Sequence, residues 1–325
     1  MNAATTEFDW SELAFASKKP LRGLYATFVA APRELSSARI KQIIKQYLPQ
    51  GNLVFGISKE PYVAGFEDQP QFRMDDGAEI AHFAALTNKA SAKHKVYTLR
   101  YFQRELPFVL EKLGFAKVLL VNGSWKHVFH SSPAYYVLAN SQVPFEYISP
   151  FAQAAEGDVL ERLALRENSQ RYPVPSGDFT DKEMLGHAAN VAKFSFDNTH
   201  QTGVVLGKKN GRKYAFMLGT FNKVVPTQSY ALHHGAEREK HFSPPNDLNY
   251  YDTVHAEMEL LVAVQKQQVP LQGTTMFINL LPCPTCARTL SQTDIAEFVY
   301  TEDHSSGYAI KMLEAAGKKV RRIVP

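Results

Sequence analysis

Cysteine is almost missing from this chain. Cys283 and Cys286 are the only two in 325 residues. With both of them committed to a metal, no disulfide framework exists, the usage of a reducing cytoplasm. Long apolar runs are missing too. None approaches the ~18 residues of a membrane span, and Met1–Pro20 has neither a signal-peptide core nor an Arg-rich amphipathic pattern. The sequence therefore reads as cytoplasmic, with no membrane partner. An excess of one charge sign is also lacking. Lys plus Arg number 36 and Asp plus Glu 32, and from Thr180 onward the counts are 16 and 14, so each half is about +2. No half has the basic balance of an electrostatic nucleic-acid binder. Neither a Gly-x-Gly-x-x-Gly nor a Gly-x-x-x-x-Gly-Lys phosphate loop occurs.

The chemistry that is present is concentrated between Thr253 and Arg288. His255-Ala256-Glu257 is followed by Pro282-Cys283-Pro284-Thr285-Cys286, with Cys283 placed 26 positions after Glu257. One imidazole and two thiols at this spacing form the protein part of a four-coordinate zinc site whose fourth position is open. Asp252 or Thr253 can cap a helix with His255 and Glu257 in its first turn and Leu260, Leu261 and Val264 behind them. Thr274–Leu280 reads as a buried strand bounded by Gly273 and Pro282. Cys283 then falls at an N-cap, Pro284 at the first helical position and Cys286 in the first turn, where amides and dipole favour thiolate. A purely structural zinc site would need a second Cys/His pair. Only His233, His234 and His241 are on hand for that.

The rest of the chain suggests two domains. The first, residues 1–151, alternates strands and helices: an apolar run Leu24–Ala31, a helix Ser36–Tyr47, a strand Leu53–Ile57, an irregular stretch, and a helix at about Tyr101–Leu113. A strand Val118–Val121, a helix Pro133–Asn140 and a strand Phe145–Ile148 follow. That alternation predicts a Rossmann-like α/β domain with a parallel sheet. Its ligand has no motif. The polar residues expected at the carboxyl ends of strands are Lys59, Asn122, Ser124, Lys126, His127 and His130; a docking or dimerisation domain fits as well. Residues 152–178, with a short helix at Val159–Leu165 and then Pro173 and Pro175, read as a linker. From 179 to 325 the order is αββαβαβαβ, with an Asn210-Gly211 hairpin and a parallel ending. The cluster Lys318-Lys319-Val320-Arg321-Arg322 suits a solvated strand edge better than a phosphate site.

That order, together with His-Ala-Glu…Pro-Cys-x-x-Cys, resembles the zinc-dependent cytidine/deoxycytidylate deaminase superfamily over roughly residues 180–325. The resemblance implies an α-β-α sandwich with a five-stranded mixed sheet, one Zn2+ per chain held by His255, Cys283 and Cys286, and Glu257 as proton shuttle. It further implies substrate contacts from Asn222, Ala256 and Leu281, and a homo-oligomer. His233 and His234, in the loop Lys223–Asp252, are further candidate site residues, but that loop matches no substrate signature. The implied activity is hydrolytic deamination of a nucleobase, at cytosine C4 or adenine C6, in a nucleoside or nucleotide. One alternative places the same reaction on tRNA or another nucleic acid gripped by the first domain. The other is a non-catalytic zinc scaffold, for which a carboxylate at Glu257 has no use.

Overall fold

The apolar segments of the first half show no polar alternation, as expected of strands covered on both faces. A computed structural model describes residues 6–15, 25–30, 33–90, 93–244, 247, 249–303 and 305–324. Leu24 and Ala31, the ends of the first apolar run, lie outside the described residues. Its elements are β1 (Glu7–Asp9), α1 (Trp10–Phe15), β2 (Ala26–Ala30), α2 (Ser37–Tyr47), β3 (Asn52–Ser58), α3 (Ala78–Ala90), β4 (Val96–Tyr101), α4 (Leu106–Leu113), β5 (Lys117–Val121), α5 (Pro133–Ser141) and β6 (Phe145–Ile148). The strands form one six-stranded sheet, β1-β4-β3-β2-β5-β6, parallel throughout.

Alternate strand residues feed two cores. Phe28, Val54, Leu99, Val118 and Leu120 pack with α1, α4 and α5. Val29, Phe55, Ile57, Leu119 and Val121 pack with Ile40 and Ile43 of α2 and Ile80 and Ala84 of α3. Gly56 is required where it stands, because a Cβ there would lie 2.7 Å from Phe28 Cζ and 2.8 Å from Tyr101 Cε1. Four elements differ from the sequence expectation. β1 pairs with β4 where only a lead-in was expected. α3 and β4 occupy the stretch taken as irregular, since only Ile80 and Ala84 of α3 are buried and its apolar face is thin. Tyr101 closes β4, and α4 begins only at Leu106, beyond a 3-10 turn at Gln103–Glu105.

The remaining elements are α6 (Ala154–Arg171), β7 (Asp178–Phe179), α7 (Asp181–Ala192), β8 (Gly203–Asn210), β9 (Lys213–Phe221), β10 (Lys223–Val224), α8 (Tyr230–His234), α9 (Glu237–Lys240), β11 (Thr253–Val254), α10 (Ala256–Gln267), β12 (Thr274–Leu280), α11 (Pro284–Ser291), β13 (Glu297–Glu302), α12 (Tyr308–Ala315) and β14 (Lys319–Arg322). The second sheet is six-stranded and mixed, β14-β13-β12-β8-β9-β7. The sixth strand, not expected, is Asp178–Phe179, which pairs with Ala215 and Tyr214 of β9. Thr180 caps α7 in a capping box with Glu183. One face of this sheet packs on α10, α11 and α12 through Met276, Ile278, Phe298 and Tyr300. The other packs on α7 through Val205, Phe277 and Val299.

The chain divides into two compact units, Met1–Arg162 with Ser229–Asp252, and Leu163–Gln228 with Thr253–Pro325. The 152–178 segment thus holds an 18-residue helix, α6, in which the division falls. The polar stretch Ser229–Asp252 groups with the first unit. There, Glu239 accepts hydrogen bonds from the backbone N–H of Phe129 and of His130, from His130 Nδ1 and from the Tyr147 hydroxyl. His130 Nε2 in turn lies 3.1 Å from the Ser243 carbonyl.

Candidate metal centre

Two helix starts in the second unit present the three metal-type ligands. β11 pairs with β10 and keeps the backbone extended up to His255, which is itself the N-cap of α10. The cap therefore falls later than Asp252 or Thr253. On the other side, β12 delivers the chain to Cys283, the N-cap of α11, whose Sγ accepts the N–H of Cys286 at 3.4 Å. His255 Nδ1 lies 3.5 Å from Cys283 Sγ and 3.4 Å from Cys286 Sγ. Among the described residues this is the one cluster of three or more His, Cys, Asp or Glu groups, with all three donor atoms within 4.8 Å of one another. His233 and His234 are not in it; they belong to α8 of the first unit, where His233 Nδ1 meets Ser149 Oγ at 2.9 Å.

The donor set fits zinc. An ion bound tetrahedrally at about 2.3 Å from sulfur and about 2.0–2.1 Å from nitrogen sets its N···S edges at about 3.5 Å, which matches the observed separations. Of the three, only Cys283 is biased toward its metal-binding form. Cys283 takes hydrogen bonds from the Cys286 thiol, from His255 and from the Cys286 backbone, which hold it well below the ordinary thiol range. Cys286, donating to Cys283 and buried, is pushed up. The hydrogen bond with Cys283 raises His255 against the effect of burial.

Glu257 sits in the first turn of α10 at 3% exposure. Burial pushes its carboxyl up to about 7, opposed by the charge of His255. A carboxyl at that value can both take and give a proton near neutrality.

Of the expected substrate residues, Asn222 is buried and mostly spent. Its Oδ1 accepts Thr202 N at 2.8 Å, and its Nδ2 donates to Asp197 Oδ2 and to the His200 carbonyl. Ala256 is fully buried and its carbonyl accepts Thr220 Oγ1 at 3.0 Å. Leu281 is likewise buried, its N–H donating to the Glu302 carbonyl at 2.7 Å. Asp197 and Thr220 were missed in the sequence. Asp197 Oδ2 accepts both Asn222 Nδ2 and Thr253 Oγ1, so it braces the strand entering His255. Its only sequence signal is an Asp two residues before Thr199, which marks a turn and nothing more. A cavity of about 770 Å³ against α7, lined by Leu185, Ala189, His200, Asn279 and Thr301 among others, shares no residue with the metal cluster.

Residues 179–302 match the family described as Cytidine and deoxycytidylate deaminase zinc-binding region. Over 66 residues the chain is 29% identical to the deoxycytidylate deaminase of Enterobacteria phage T2, covering 20% of this chain and 35% of that protein. Over 142 residues it is 27% identical to a protein of Drosophila melanogaster named a probable deoxycytidylate deaminase, covering 41% of this chain and 67% of that one. The chain thus spans about a third of the phage enzyme's length. Among solved structures, the dCMP deaminase of cyanophage S-TIM5 in complex with dCMP and dUMP aligns at 17% identity and a TM-score of 0.33, over 44% of this chain and 95% of that one.

Proposed function

Because residues 179–302 carry a cytidine and deoxycytidylate deaminase zinc-binding region, we propose that this protein is a zinc-dependent hydrolase that deaminates the base of a nucleotide. The observation that carries the reading is the convergence of His255 Nδ1, Cys283 Sγ and Cys286 Sγ beside the buried carboxyl of Glu257. His255, Cys283 and Cys286 would hold the zinc. When bound, it supplies the Lewis acidity that activates water near neutral pH. Glu257 takes the proton of the attacking water, places it on the ring nitrogen, and delivers a second to the leaving amine. The amine leaves as ammonia and the base keeps the oxygen. Asp197 and Asn222 are positioning residues that hold the loop 197–202 and the strand before His255. A sugar contact from Asn222 would use the remaining lone pair of Oδ1. The Ala256 N–H and the Leu281 carbonyl are proposed to face the base edge.

The names of the relatives favour the cytosine of dCMP as the base. In the first unit, chain-order strands β2 to β6 stand as β4-β3-β2-β5-β6, which supports a Rossmann-like assignment. A polymeric substrate gains no support from the basic cluster near the end. Lys319 and Arg321 pair with Glu297, Lys318 donates to the Thr293 carbonyl, and Arg322 to that of Thr301.

The test is ammonia release by zinc-loaded protein from cytidine, deoxycytidine, CMP, dCMP, adenosine, guanine and bulk tRNA. Release from dCMP is expected. Glu257→Gln is expected to keep one zinc per chain by metal analysis and to lose turnover by 10²-fold or more, about the size of a general acid–base contribution. A variant that still releases ammonia at the parent rate would remove Glu257 from the mechanism.

A further inference from the structure

We propose that the first unit binds the oxyanion group of a small molecule, a phosphate or carboxylate, at Arg33. Topology supplies the first argument. β2 lies between β3 and β5, and the chain proceeds from β2 to one side and later returns to the other. The carboxyl ends of β2 and β5 therefore flank the crevice where open parallel sheets receive ligands. Arg33 follows β2, and Asn122, Gly123 and Ser124 follow β5. The backbone N–H of Arg33 donates to Ser124 Oγ at 3.1 Å, tying the two loops together.

The second argument is independent and comes from charge. Arg33 is 4% exposed. Among the described residues its guanidinium has no hydrogen-bond acceptor and no carboxylate within ion-pair distance. Its one contact of note is the Phe72 ring, with Cζ 5.3 Å from the centroid. Burying a guanidinium without an anion is unfavourable, and an aromatic face offsets only part of that. The nearest acids do not serve. Glu34 is exposed and reaches it only at a distance. The Asp75 carboxylate is occupied by the N–H groups of Leu35 and Gly77. Five donors in a planar fork, held at a switch point with no acceptor, suit the two oxygens of a phosphate or carboxylate.

The crevice around Arg33 is lined by Gln71, Arg73, Pro150, Phe151 and Leu232, and is too narrow for water in this conformation. Its plug is Leu232 of α8. A Cβ on Gly123 would lie 2.3 Å from Leu232 Cδ2 and 2.8 Å from Arg33 Nη1, so both side chains rest on that glycine. Asn122 Nδ2 also donates to the Leu232 carbonyl at 3.1 Å. An anion reaching Arg33 displaces the Leu232 side chain and loosens α8.

Thermal unfolding and hydrogen exchange of the full-length protein test this, in inorganic phosphate, in citrate and in chloride at one ionic strength. Phosphate or citrate is expected to raise the Tm above that in chloride and to speed exchange at residues 229–235. Arg33→Met is expected to abolish both effects. A phosphate-only response assigns the site to phosphate groups, and a citrate-only response assigns it to carboxylates. Should Arg33→Met fail to fold, Arg33→Lys, which keeps the charge and loses the fork, is expected to show a smaller shift. No anion-specific shift, or one undiminished in either variant, overturns the proposal.

Discussion

Glu297 is a carboxylate at 8% side-chain exposure whose cations come from the last strand. Arg321 Nε binds it at 2.6 Å and Lys319 Nζ at 3.1 Å, while Thr275 Oγ1 donates from the neighbouring strand. These partners hold its pKa below the usual carboxylate value against the effect of burial. Arg321 also reaches Asp181 at 2.8 Å and so ties β14 to the start of α7. Arg321→Ala is expected to cost about 1–3 kcal/mol, the penalty of under-satisfying a buried polar group, read from the urea midpoint. Asp75 shows the opposite sign. Burial pushes its carboxyl up to about 6 from 3.8, although two N–H groups oppose that. Between these values the native state binds more protons than the unfolded chain, so Asp75's contribution is full below about pH 3.8 and is lost as pH rises through 6. Two pH units correspond to roughly 3 kcal/mol at most. The stability of the parent relative to Asp75→Asn should therefore fall from about pH 4 to pH 7. A flat difference would mean that Asp75 titrates normally.

Helix α7 approaches strand β8 backbone to backbone at Gly203. A Cβ on Gly203 would stand 2.0 Å from the Ala188 carbonyl oxygen and 2.6 Å from Ala192 N, both backbone atoms of a helix. Gly203→Ala must push the helix off the sheet, an overpacking cost of about 1–3 kcal/mol visible as a lowered Tm. An unchanged Tm would show that α7 shifts freely. Elements of this kind were legible where a local rule decided them. Thr180, a residue that can cap a helix, announced α7, Asn210-Gly211 the β8–β9 turn, and Cys283-Pro284 the start of α11. Elements decided by distant partners were not legible. β7 is two residues that exist as a strand only because β9 pairs with them, and β1 depends in the same way on β4. The N-cap at His255 was also hidden, since β10 is what keeps Thr253 and Val254 extended. The cluster of His255, Cys283 and Cys286 was readable because its chemistry is rare in the chain. Asp197 was not, because an aspartate in a turn is ordinary until Thr253 and Asn222 are seen to lean on it.

At the scale of the whole molecule, the two tryptophans are a convenience. Trp10 and Trp125 both lie in the first unit, and the zinc-type ligands all lie in the second. Removing zinc with a chelator takes away a ligand that binds only the folded second unit. It is expected to lower the transition seen by far-ultraviolet circular dichroism while leaving the tryptophan-detected one in place. Coincident shifts in both would mean that the units unfold as one. The division of the chain also bears on how it is made. Glu239, which gathers Phe129, His130 and Tyr147, is encoded after the whole of the second unit's first hairpin, β8–β9. On the ribosome the parallel sheet must therefore wait, with its carboxyl-end loops unsecured, while β8 and β9 emerge. It can be closed only by a passage of chain that translation delivers some ninety residues after β6.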